Sequence, residues 1–123
     1  MYFTYNKDEK LKSRKLINKL FENGKSISVF PLRLVYLKAE HDGDNTLKVG
    51  VSVSKRNFKL AVDRNRIKRM MREVYRLNKH NFYDEISNKY VFMFIYLGKS
   101  EIEYIKLDVK MNELIKLFLN KNN

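Results

Sequence analysis

A chain of 123 residues that is 44% apolar and carries 16 Phe and Tyr has room for one domain, 1–123, with its own core, and none for a second. The absence of Cys excludes disulfides, thiolate zinc sites and cysteine nucleophiles, while 26 Lys and Arg against 14 Asp and Glu leave a formal +12 that favours a polyanionic partner. No signal-peptide core occupies residues 1–6, and the longest apolar run, Tyr90 to Leu97, is too short to span a bilayer, so a cytoplasmic protein with no membrane partner is expected.

From Lys7 to Phe21, the residues Leu11, Lys15 (by its stem), Ile17, Leu20 and Phe21 fall near helical spacing until Asn23-Gly24 stops the pattern, which predicts an amphipathic helix. Ser26 to Ala39 is rich in strand formers. Phe30, Leu32, Leu34 and Tyr36 are expected on one face, and Val29, Pro31, Arg33 and Val35 on the other, with Pro31 interrupting pairing or lying at an edge. Turn formers from Glu40 to Asn45 lead into Leu47, Val49, Val51 and Val53 at alternate positions, which predicts a hairpin.

Helical period returns from Asp63 to Leu77, with Ile67, Met70, Met71, Val74 and Leu77 on one side; the start could lie earlier, near Lys59 or Leu60. Tyr90 to Leu97 is apolar on both faces, as in an interior strand. After Gly98, Ser100 and Glu103 have capping-box spacing. Leu107, Met111, Leu114, Ile115 and Phe118 then predict a last helix, with the Asn-rich end after Leu119 fraying. The order α-β-β-β-α-β-α predicts an α+β fold, a two-layer α/β sandwich in which the strands flanking the second helix could be parallel neighbours.

Charge concentrates between Lys55 and Arg76, where nine cations (Lys55, Arg56, Lys59, Arg64, Arg66, Lys68, Arg69, Arg72 and Arg76) face only Asp63 and Glu73. At 100° per residue, Asn65, Lys68, Arg69, Arg72 and Arg76 share one sector opposite the apolar stripe, with Arg64 and Arg66 on the flanks. Five of these are Arg, whose planar fork binds phosphate through two parallel hydrogen bonds and stays charged when partly desolvated. A solvated charged face is the ordinary explanation for such a helix, but like charges three and four residues apart repel unless something neutralises them.

Other functions fit less well. Glu40, His41, Asp42 and Asp44 form the one dense acidic and histidine group, in a predicted turn without the Gly and terminal Glu of a calcium loop, so turn chemistry is preferred to a metal site. A membrane-surface helix would need the apolar stripe that the core requires. A ribosomal protein or another basic RNA- or DNA-binding protein is the alternative, although the near-uniform cationic face favours phosphate over base reading and no DNA partner is expected.

The segment Val51 to Arg76, with Arg64-Asn65-Arg66 followed by Ile67-Lys68-Arg69 and Arg72-Glu73, resembles the hallmark segment of bacterial ribonuclease P proteins. Leu11 to Gly24 and Pro31 to Tyr36 are similar to that family too, and the resemblance covers roughly Lys10 to Phe118. One departure is that many members have a Gly where this chain has the longer turn Asn57-Phe58-Lys59-Leu60. The resemblance implies the protein subunit of an endoribonuclease that removes the 5′ leader of precursor tRNA. Its partners would be a catalytic RNA and the precursor. Hydrolysis would be performed by the RNA with Mg2+ that the RNA holds, leaving no catalytic group or cofactor on the protein alone. It implies that Arg64, Asn65, Arg66, Lys68, Arg69 and Arg72, with Lys55 and Arg56 beside them, face the RNA. It also implies a cleft between the first helix and the sheet that holds the leader, at Ile17, Phe21, Leu34 and Tyr36, and a left-handed crossover through the basic helix.

Overall fold

The computed structural model describes residue 5 and residues 9–41 and 46–122. Its elements are α1 (Arg14–Asn23), β1 (Lys25–Val29), β2 (Leu32–Lys38), β3 (Leu47–Val53), α2 (Ala61–Asn78), β4 (Tyr90–Tyr96) and α3 (Tyr104–Asn122), in the order predicted. Two short 3-10 turns, Lys79–Asn81 and Tyr83–Glu85, link α2 to β4. No helix among the described residues is long and apolar enough to cross a membrane.

The strand apolar on both faces takes an interior place in the sheet. β4 pairs antiparallel with β2 and parallel with β3, giving the order β1-β2-β4-β3. This corrects the expected hairpin: β2 and β3 are not neighbours, because β4 inserts between them, and residues 42–45 of the expected turn lie outside the described residues. The hairpin that does form is earlier. Ser26 to Ala39 divides at Phe30-Pro31, whose peptide bond is cis, into β1 and β2, with Val29 opposite Leu32. Val29 therefore shares the face of Leu32, Leu34 and Tyr36, and Phe30 leaves the strand for the exposed turn.

Registry divides the sheet into two faces. Leu32, Leu34, Tyr36, Phe92, Phe94 and Tyr96 face α2 and α3, joined by Ile67, Met71, Leu114 and Phe118. Edge-to-face contacts of Phe118 with Tyr36 and Phe92, centroids 5.0 and 4.9 Å apart, lock α3 onto the sheet. The opposite face presents Val35, Val91 and Met93, covered by α1 through Leu16, Ile17 and Leu20 and by Leu11 from the segment before it. α1 is thinly anchored, since Leu20 is its one fully buried residue among those described. Its end fits tightly: a Cβ on Gly24 would come within 2.3 Å of the Leu20 carbonyl oxygen and 3.0 Å of that of Tyr36.

Two helix starts differ from expectation. α1 begins at Arg14 because the Ser13 hydroxyl accepts the Leu16 amide, and residues 9–11 run along β3, with Leu11 N donating to Val49 O and Val49 N to Glu9 O; Lys7 and Asp8 of the expected helix lie outside the described residues. Lys15 is exposed, and Leu16 packs in its place. α3 begins at Tyr104, one turn after the expected cap, because the Ser100 carbonyl is taken by the Tyr96 hydroxyl, and the first helical bond runs from Leu107 N to Glu103 O. Its end continues as helix to Asn122, whose side chain bonds the Phe118 carbonyl.

Candidate nucleic-acid interface

α2 turns Ile67, Met71, Val74 and Tyr75 into the core and leaves the opposite sector outside. On that sector Asn65, Arg69 and Arg72 are exposed and Lys68 is half-buried; the three cations make no ion pair among the described residues. Lys55, Arg56 and Lys59 are exposed in the turn before the helix, which extends the cationic surface.

The other predicted contacts are engaged within the protein. Arg64 donates to the carbonyls of Phe58 and Lys59 at 2.8 and 3.0 Å, so it braces the turn 57–60 in place of a side-chain cap at Leu60. Phe58 is buried beside Tyr96 in that turn, while Leu60 points out. Arg66 is held from both sides: Nε and Nη2 donate to Glu101 at 2.7 and 2.9 Å, and Nη2 also meets Asp63 at 2.7 Å. These bonds hold Arg66 charged and pull the Glu101 carboxyl below its usual range. Arg76 pairs with Glu73 at 2.5 Å, lowering the Glu73 carboxyl through the same kind of contact. The expectation of one uniform ridge is corrected accordingly: its centre is Asn65, Lys68, Arg69 and Arg72, and Arg64, Arg66 and Arg76 are tied at its margins. Sequence periodicity cannot find Glu101, because it lies 35 residues away in a loop.

The predicted leader set does not come together. Ile17 is half-buried and Phe21 exposed on α1, but Leu34 and Tyr36 are buried on the other face of the sheet, against α3. A one-residue step in a strand reverses the face, so the positions that share a side with α1 are Arg33, Val35 and Leu37, with Ile95 opposite Arg33. Arg33 is exposed there, its Nε 3.4 Å from the Ser28 hydroxyl.

A buried polar group supports α2 from beneath. The Glu9 carboxylate accepts from the Tyr75 hydroxyl and the Lys79 ammonium, all three nearly without solvent exposure. Burial, followed by the Glu9 charge, pushes the Tyr75 hydroxyl well up, so it remains a donor. Tyr5 packs edge-on to Tyr75 and donates to the Val49 carbonyl. Next to this group Asn78 bonds Asp108 and accepts from Asn112, joining the end of α2 to α3.

Comparisons with known proteins agree with this architecture. The family model described as Ribonuclease P matches residues 5–120. A ribonuclease P protein component of Porphyromonas gingivalis is 44% identical over 91 residues, 73% of this chain and 66% of the relative, so the match spans slightly under two thirds of that protein's length. Another from Clostridium novyi is 32% identical over 111 residues, covering 89% of this chain and 93% of the relative. Among solved structures, the RNase P protein of Staphylococcus aureus superposes with a TM-score of 0.72 at 18% identity, covering 89% of this chain and 94% of that one. That of Thermotoga maritima gives 0.70 at 24% identity, covering 89% and 96%. The likeness to these two structures is one of fold. With a family match across nearly all of its length, the chain belongs to the ribonuclease P protein family.

Proposed function

We propose that this protein is the RNA-binding subunit of ribonuclease P, which assists a catalytic RNA in removing the 5′ leader from precursor tRNA. The observation that carries the proposal is the exposed face of Asn65, Lys68, Arg69 and Arg72, continued by Lys55, Arg56 and Lys59. Guanidinium and ammonium groups in this arrangement neutralise phosphates and so allow two folded surfaces to approach closely. Cations offer neither a nucleophile nor a metal ligand. Bond breaking, and the Mg2+ it uses, belong to the RNA in this proposal. The leader would lie on the α1 side of the sheet, where Phe21 offers an aromatic face for an unpaired base and Arg33 a charge for its phosphate.

The test is reconstitution. Adding the protein to a ribonuclease P RNA at low magnesium, where phosphate repulsion is poorly screened, should restore 5′ leader removal, and protein freed of all RNA should cleave nothing. Precursor cleavage by the RNA-free protein, or no stimulation of the RNA, contradicts the proposal.

A further inference from the structure

One concavity outside the surfaces described so far combines an exposed aromatic ring with cations. The β1–β2 turn, the segment after β4 and the first turns of α3 enclose about 540 Å³. Phe30 forms one wall and is 69% exposed. Pro31 and Tyr96 form the floor, and Tyr96 is immobilised by its 2.6 Å bond to the Ser100 carbonyl and by the Phe58 ring. Leu97 N donates to Pro31 O at 2.6 Å, tying the two walls together. Gly98 is needed here, because a Cβ would come within 2.9 Å of the Tyr96 ring and lift the loop. The groove is thus shaped before any ligand arrives.

Lys99, Lys106 and Lys110 stand at its rim. Two carboxylates also line it: Glu101 has both oxygens on Arg66, and Glu103 lies 3.8 Å from Lys106. Lys110 is likewise 3.8 Å from Glu113. Such long, exposed pairs contribute little and are readily exchanged for a phosphate. The Glu101 bridge to Arg66 also places the groove next to α2, at the margin of its cationic face.

We propose that this groove binds one unpaired RNA nucleotide, its base against Phe30 and its flanking phosphates at Lys99 and Lys106. The inference rests on the RNA-binding function proposed above and adds a second contact to it. A ring face stacks on any base, so sequence preference is weak. The nucleotide comes either from an unpaired loop of the catalytic RNA or from a single-stranded tail of the substrate.

Because the chain contains no Trp, Phe30→Trp in the full-length protein installs a single reporter in the groove wall. A short oligouridylate should quench its fluorescence, and Lys99→Ala with Lys106→Ala should weaken that binding about tenfold. Phe30→Ala, followed by filter binding of the same oligonucleotide, should cost about tenfold as well. Quenching by ribonuclease P RNA alone assigns the nucleotide to the RNA subunit; quenching only by precursor tRNA with a single-stranded 5′ extension assigns it to the substrate. Wild-type affinity of the Trp variant for ribonuclease P RNA, with no quenching by any of the three RNAs, overturns the groove and leaves the proposed function standing. Failure of the unmodified protein to bind ribonuclease P RNA overturns the function beneath it.

Discussion

Arg72 and Lys79 stand two helical turns apart along the same stretch of chain, and the protein treats their charges in opposite ways. Lys79 is buried on the Glu9 carboxylate, which is also held by Tyr75, whereas Arg72 is exposed and has no carboxylate partner among the described residues. A desolvated cation must be matched inside the fold, so its effect is on stability; a solvated one is available for a partner. The contrast separates the cations that are matched inside the fold from those left open to solvent, and it can be broken from either end.

The largest effect is expected beneath the helix. Glu9→Ala removes the buried carboxylate that Tyr75 and Lys79 share and should lower stability by about 3–5 kcal/mol in urea titrations, while the folded fraction still binds RNA. On the ridge the pattern should reverse: Arg69→Ala with Arg72→Ala should leave stability within about 0.5 kcal/mol of wild type yet weaken binding to ribonuclease P RNA by about tenfold or more at moderate salt.

A smaller, pH-dependent effect is expected at His41. Burial, reinforced by Lys89 and Lys48, lowers its pKa, with the bond to the Thr46 carbonyl offsetting part of the shift. The unfolded chain then binds the proton more readily, so this contribution is complete above about pH 6.5 and is lost as pH falls below that value. Thermal melts from pH 7.5 to 5.5 should show the loss, and His41→Gln should flatten it. The smallest effect is expected at Glu101→Gln, which releases Arg66 from an exposed pair and should change stability by under about 1 kcal/mol. A large loss there would mean that the clamp belongs with the Glu9 group and not with the ridge.

Periodicity made α2 and α3 legible, since Ile67, Met71 and Val74, and Leu107, Met111 and Phe118, recur at helical spacing and are all buried. β4 was legible because it is apolar on both sides. Sheet order was not, because alternation fixes a strand's faces and says nothing about which strand lies beside it. The same limit misplaced the leader residues: Leu34 and Tyr36 read as one face, but sequence does not say that α1 takes the other. Helix starts depended on a single hydroxyl at Ser13 and a single carbonyl at Ser100, which local pattern does not rank. The cationic sector of α2 was visible as a whole, and its division into free and tied members was not. Part of that division depends on Glu101, which no spacing rule connects to Arg66, and part on the Phe58 and Lys59 carbonyls that hold Arg64.

The most direct test is the salt dependence of binding to ribonuclease P RNA, compared between wild type and the Arg69→Ala, Arg72→Ala protein. If both side chains neutralise phosphates, the logarithmic slope of the double variant should be shallower by roughly 1.4 to 1.8, at about 0.7 to 0.9 per lost contact. Superimposable slopes would show that the exposed face of α2 does not meet RNA.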